Sequence, residues 1–169
     1  MKHFLLIFSA VFGLVLPVLA QTYQREPAVI QALNTQLLRY KKAVLEDNSE
    51  EAIALTHPDM IRMMGGIEKM RASTKKGKEI RDSYKLKFVA LEYTLPDSIL
   101  VTEASYQLAF PFDLVTQFED GTTIPDRMLM IAYKDIPLNK WYFLTVPYKD
   151  IDKIRPTFKF VDPELVLPE

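Results

Sequence analysis

Cysteine is absent from the 169-residue chain, which excludes a disulfide framework, a thiolate metal site and a cysteine nucleophile. Histidine is nearly absent too, with only His3 and His57. Neither sign of charge dominates: 21 Lys and Arg stand against 22 Asp and Glu. A nucleic-acid binder ordinarily carries a basic excess, and no aromatic residues interleave with the basic ones as a single-strand groove requires. A glycine-rich phosphate loop, a Ser-His-Asp arrangement and zinc-ligand spacing are all missing. So are internal repeats and low-complexity stretches. What the chain does have is 49% apolar and 25% charged residues, the make-up of one folded domain with a substantial core.

The amino-terminal twenty residues have a character of their own. Lys2 and His3 precede an apolar run from Phe4 to Leu16, Pro17 ends it, and Val18-Leu19-Ala20 offers the small residues that a signal peptidase reads. The run is shorter than the roughly 20 residues a membrane-spanning helix needs, and the polar Gln21-Thr22-Tyr23-Gln24 follows it. Residues 1–20 therefore read as a secretory signal peptide. An exported protein, periplasmic or extracellular, with no stable membrane insertion after cleavage is the expectation. Without cysteine, packing alone must hold the remaining chain together.

Residues 21–149 form the expected domain, and residues 150–169 a Pro-rich extension with Pro156, Pro163 and Pro168. The patterning changes near Tyr84. Before it, Pro27 suits a first helical turn, and Ile30, Leu33, Leu37, Tyr40 and Val44 recur at steps of three and four. Asn48 with Glu51 forms a capping-box start for a short second helix, which Pro58 ends. Met60 to Met64 reads as a strand or a further turn. Gly65-Gly66 allows a reversal, and a third helix follows over Ile67 to Ile80, turning Ile67, Met70 and Ile80 inward. After Tyr84, strands take over: Lys85 to Thr94, a long run from Ile99 to Phe118, Arg127 to Tyr133, and Trp141 to Val146. Asp120-Gly121 marks a hairpin, and Pro111 marks an edge, a bulge or a bend. Helices first and strands afterwards predict an α+β domain with an antiparallel sheet.

Asn48-Ser49-Glu50-Glu51-Ala52, then Thr56-His57-Pro58-Asp59, then Gly65-Gly66-Ile67-Glu68-Lys69-Met70 form an ordered series. With Phe110-Pro111-Phe112-Asp113-Leu114 and Lys140-Trp141-Tyr142-Phe143, it resembles the nuclear transport factor 2-like (cystatin-like) superfamily, in particular its small exported members from Bacteroidetes-type bacteria. The resemblance implies a cone, with the N-terminal helices packed in the concave face of a strongly curved antiparallel sheet. It also implies a homodimer formed through the outer sheet face. The superfamily spans enzymes, adaptors and binding proteins, so the fold implied leaves the function open.

Enzymatic members of that superfamily place an acid/base group in the cone's cavity. His57 and Asp59 are the local pair here, and a cofactor-free lyase or isomerase using either is the alternative reading. A turn or capping role for His57, which precedes Pro58, competes with it. Asp113 falls on the strand face opposite Phe110 and Phe112. On the aromatic face, Tyr106, Leu108, Phe110 and Phe112, together with Trp141 and with Arg127 as an anion anchor, compose a candidate ligand pocket. The competing reading has the same side chains meet Ile30, Leu33 and Leu37 as plain core. A basic block holding Arg71, Lys75, Lys76, Lys78 and Arg81 is a candidate patch for an anionic partner, set against a solvated helix face. Met60, Met63 and Met64 read as core packing, not as a soft-metal site, and neither a metal nor an organic cofactor is expected. The sequence thus points to an exported, non-catalytic domain that binds a small apolar molecule or a protein partner.

Overall fold

A computed structural model describes residues 22–168; the candidate signal peptide lies outside the described residues. Helix α1, Pro27–Leu45, starts on Pro27 at a position where a missing N–H is harmless, and it buries Leu33, Leu37 and Ala43. Asn48 caps α2, Ser49–Ala54, by accepting the Glu51 N–H at 3.2 Å. The segment around Met60 is neither strand nor turn but a third helix, α3, Pro58–Met63. Pro58 opens this helix after α2 has ended, and the His57 ring nitrogen caps it. Gly65 and Gly66, at φ of +86° and +99°, carry the chain into α4, Ile67–Ser83.

Six antiparallel strands make one open sheet: β1 Thr22–Gln24, β2 Lys87–Tyr93, β3 Ile99–Val101, β4 Ser105–Gln117, β5 Thr123–Asp135 and β6 Lys140–Pro147. The expected run from Ile99 to Phe118 is thus two strands. A turn built on the Thr102 hydroxyl, which accepts the Ser105 N–H, breaks it. Strand β4 is the spine. It pairs along its whole length with β5, while β3 and β2 divide its other edge at Tyr106–Gln107 and Phe112–Gln117. Pro111, which has no N–H to give, falls in the interval between those two partners. The far edge of β6 is partly closed by the connection between α2 and α3: the Phe143 N–H donates to the Leu55 carbonyl at 2.7 Å, and the His57 N–H donates to the Phe143 carbonyl at 3.0 Å.

Alternation along the strands gives the sheet two apolar faces, each with its own core. On one, Leu108, Phe110 and Phe112 of β4, Met130 and Ala132 of β5, and Trp141 and Phe143 of β6 meet Leu33 and Leu37 of α1. On the other, Ala109, Leu129, Ile131 and Leu144 are covered by Ile154, Phe158, Val161 and Leu165. The Pro-rich C-terminal segment is therefore a packed layer. After a 3-10 turn over Tyr148–Lys153 and a single turn of helix, α5, Ile154–Thr157, it crosses the sheet, and Phe158, Val161 and Leu165 are all buried. The architecture is helices, sheet and C-terminal layer, an α+β arrangement. Among the described residues, no helix is long and apolar enough to cross a membrane.

Helix α4 departs most from its expected packing. None of its residues is buried, and Ile67 and Ile80, expected inside, are 43% and 49% exposed. Met70 does turn inward, half-buried, as expected; the apolar positions are too few and too scattered to form a stripe, so Thr74, Gly77 and Arg81 take the other inward places, each half-buried. Met60 is half-buried beside the second core, but Met63 and Met64 are exposed, contrary to a core role for all three.

Candidate functional site

The two groups of candidate residues on the sheet are separated by the pleat. Phe110 is fully buried, and Leu108, Phe112 and Trp141 nearly so, in a core filled by Leu33, Leu37 and Leu55. Tyr106 packs half-buried at the margin of this core, with the Lys134 ammonium 5.5 Å above its ring. Arg127 does not join them. It pairs across the strands with Asp113 on the opposite face, and the two form an ion pair at 3.2 Å.

His57 is buried at 7% exposure, and its surroundings are aromatic. Its ring stacks on Phe160 at 3.5 Å between centroids and meets the Tyr133 and Tyr142 rings edge-on. Nδ1 accepts the Asp59 N–H at 3.2 Å, so one ring nitrogen already serves as the helix cap. Burial drives its pKa down to about 4, the Arg62 charge adds to that, and the Asp59 and Asp135 carboxylates oppose it. The ring is thus neutral at pH 7. The Asp59 carboxylate pairs with Arg62 at 2.8 Å on the surface of α3. These residues tie α3, the sheet and the C-terminal layer together.

That layer is fastened by a residue the sequence did not single out. Gln107 is buried; its amide donates to the Phe160 carbonyl at 3.1 Å and to Ser105 Oγ at 3.0 Å, and its side-chain oxygen accepts the Asp162 N–H at 3.0 Å. One amide side chain so reproduces two bonds of a strand ladder. Arg155 adds a bond to the Leu165 carbonyl, and the Tyr23 hydroxyl accepts the Val166 N–H. A polar residue at position 107, within an otherwise apolar alternation, was the available signal.

The basic block borders one of several open clefts; others of about 440 Å³ and 420 Å³ lie beside Lys85 and Glu119 and beside Tyr23 and Pro111. Beneath α4 lies a cleft of about 380 Å³ between that helix, the end of α1 and the start of α2. Four of the five patch residues, Arg71, Lys75, Lys78 and Arg81, line it, and Lys76 does not. Ala43, Val44, Ala52 and the ring of Phe88 supply apolar walls, and Asp47 and Glu50 are the carboxylates in the lining. A separate cavity of about 170 Å³ has Ala52 and Thr74 in common with it and is lined also by Tyr40, Met70 and Phe143. Burial raises the pKa of the Tyr40 hydroxyl there, so it stays a neutral donor, opposite Thr145.

The cations at the mouth are held in a lattice of ion pairs. Arg71 grips Glu50 through two bonds of 2.9 and 2.8 Å and reaches Glu68 at 2.7 Å. Those bonds depress the Glu50 carboxyl below its usual range and hold Arg71 firmly protonated. Lys78 bridges Asp82 and Asp47, which raises its pKa. Arg81 bonds Asp47 while its guanidinium lies 4.3 Å over the Phe88 ring. Lys75 comes only to 4.0 Å from Glu79 and is 80% exposed. Four cations thus line the cleft against two carboxylates. The cavities beneath α4 include neither His57 nor Asp59. Among the described residues, no three His, Asp or Glu side chains gather as a metal ion would require.

No protein-family model matches the chain, and no curated protein or solved structure does either.

Proposed function

We propose that the protein is an exported binding domain of the nuclear transport factor 2-like type, and that it holds a small apolar-bodied molecule in the cleft beneath α4. The observation that carries this reading is the cleft itself. At about 380 Å³ it has the size of a small-ligand site, with apolar walls from Ala43, Val44, Ala52 and Phe88 and six charged side chains in its lining. On the aromatic sheet face, Leu33 and Leu37 pack in the same core as Phe110, Phe112 and Trp141 and fill the space between them. The alternative, a cofactor-free lyase or isomerase built on His57 or Asp59, has less support. A general base must reach its substrate, and the His57 ring lies beneath Phe160 with one nitrogen committed to a backbone N–H.

A neutral apolar fluorophore, N-phenyl-1-naphthylamine, tests the reading. Saturable one-site binding to the protein is expected. Thr74→Trp, which fills the wall common to both cavities from a helix that buries no residue, should abolish it while the circular dichroism spectrum stays unchanged. Absence of saturable binding, or binding unaffected by a folded Thr74→Trp variant, would overturn the proposal.

A further inference from the structure

We propose that His57 is an acid-labile latch for the C-terminal layer: a second proton on its ring releases the segment from Phe158 to Val166 while the helices and sheet stay folded. Three contacts of one residue make the latch. Its backbone N–H donates to the Phe143 carbonyl of β6 at 3.0 Å, its Nδ1 accepts the Asp59 N–H at 3.2 Å, and its ring stacks on Phe160 at 3.5 Å between centroids. Because Nδ1 is an acceptor, the neutral ring carries its hydrogen on Nε2. An added proton therefore goes to Nδ1 and sets one donor against another. The Asp59 N–H loses its partner, and the ring has to turn away from it. Tyr133 of β5 and Tyr142 of β6 also meet the ring, at 5.0 and 5.6 Å. Of these three aromatic neighbours, Phe160 alone lies outside the sheet, so it is the one that yields.

The surrounding charges do not compensate an imidazolium. On α3, the Asp59 carboxylate attracts it but is paired with Arg62, which repels it. On β5, Asp135 attracts it while accepting the Leu138 N–H, and Tyr133 is a neutral phenol. On β6, the Lys140 ammonium lies 4.8 Å over the Tyr142 ring. In the segment itself, Lys159 and Asp162 stand on either side of Phe160 with opposite signs. The Phe160 face attracts a cation, yet it also keeps water from one side of the ring. Burial prevails and holds the docked ring near 4; once the layer lifts, water returns it toward 6.5. Those two values weaken docking about a hundredfold at pH 4 relative to pH 7. The apolar contacts of the layer do not by themselves offset its ordering, which leaves it the element most open to such a loss.

Amide hydrogen exchange of the intact protein between pH 7 and pH 4, corrected for intrinsic rates and read by mass spectrometry, tests this. The Asp162 N–H, held by Gln107, and the Val166 N–H, held by the Tyr23 hydroxyl, report docking, and the amides of β4 and β5 report the sheet. Protection of the segment should fall about a hundredfold across that range while β4 and β5 keep theirs. His57→Asn keeps an acceptor for the Asp59 N–H but takes up no proton, so segment protection in it should change less than about threefold. His57→Gln serves as a second variant should the asparagine fail to fold, and circular dichroism at pH 7 checks both. Undiminished protection of the segment at pH 4 would overturn the latch. So would an equal loss in a folded variant, which would assign the effect to the carboxylates. Loss from segment and sheet together would overturn it too, because the transition would then be global unfolding.

Discussion

Replacing Gln107 by Leu tests whether one buried amide holds the C-terminal layer on the sheet. The substitution keeps the volume but removes three hydrogen bonds, to Ser105 Oγ, the Phe160 carbonyl and the Asp162 N–H. Each such bond contributes roughly 1 kcal/mol net, and a partner left buried without a replacement loses about 1–3 kcal/mol. Water can re-satisfy part of the loss at the segment's margin, so the expected destabilisation is about 2–4 kcal/mol. The apolar side of the balance explains why this matters. Burial of Ile154, Phe158, Val161 and Leu165 contributes roughly 1.5–3 kcal/mol for each side chain. Ordering the segment that carries them costs about 1–2 kcal/mol per residue. Over the residues from Ile154 to Leu165 that cost exceeds what the four side chains return, so the layer depends on further contacts, the polar clasp among them. Urea unfolding followed by Trp141 fluorescence should therefore show a lower midpoint. Limited chymotrypsin digestion should cut at Phe158 or Phe160 well before the remainder of the chain. A Gln107→Leu protein within 0.5 kcal/mol of the original, with an equally protected C-terminal segment, would refute the reasoning and leave the apolar contacts sufficient by themselves.

Two further perturbations probe the connection between helices and sheet. With the His57 pKa near 4 in the folded protein and near 6.5 when unfolded, the unfolded chain takes up the proton first. The stability this confers is fully present above pH 6.5 and is lost as the pH falls toward 4. It amounts to at most about 3 kcal/mol, and His57→Asn, which keeps a capping acceptor, should flatten the pH dependence of the urea midpoint across that window. Asn48→Ala removes the acceptor of the Glu51 N–H and should lower stability by about 1 kcal/mol, read from the thermal midpoint; no change would mean that water caps α2 equally well.

Much of the scaffold is legible in the residues, and the failures have identifiable causes. The α1 stripe, the Asn48 cap, the Asp120-Gly121 hairpin and the period-two face from Leu108 to Phe112 are local patterns, and each stands where its spacing places it. Position 127 went astray because strand parity across a hairpin depends on register. With Thr123 opposite Gln117, Arg127 meets Asp113, and both point away from Phe110. The third helix was hidden because Pro58 reads equally well as the end of one helix and the start of the next, and only the cap on His57 distinguishes them. The C-terminal layer was hidden because its buried residues, Ile154, Phe158, Val161 and Leu165, recur at the helical steps of four, three and four, yet only Ile154–Thr157 is helical and Pro156 and Pro163 interrupt the run. What places them is the sheet beneath, which is a tertiary constraint. Of the candidate site, the basic block was legible as charge, but the cleft behind it was not.

The cleft has a cause in the composition of α4. A helix is drawn against its neighbours by a stripe of aliphatic side chains, and apart from Met70 the half-buried positions of α4 hold Arg71, Thr74, Gly77 and Arg81 where such a stripe would run. Guanidinium and ammonium groups cannot be pressed against Ala43 and Val44 without losing their water, a loss larger than the apolar contact returns. They stay at the rim, bonded to Asp47 and Glu50. Space remains behind them, walled by the apolar surface that α1, α2 and Phe88 would otherwise have buried. The same side chains that keep α4 from closing the core thus supply the charge at the mouth of the space they leave open. Replacing Arg71 and Lys78 with leucines should therefore shrink the cleft and remove two of its four cations at once, read as loss of saturable N-phenyl-1-naphthylamine binding by a folded variant.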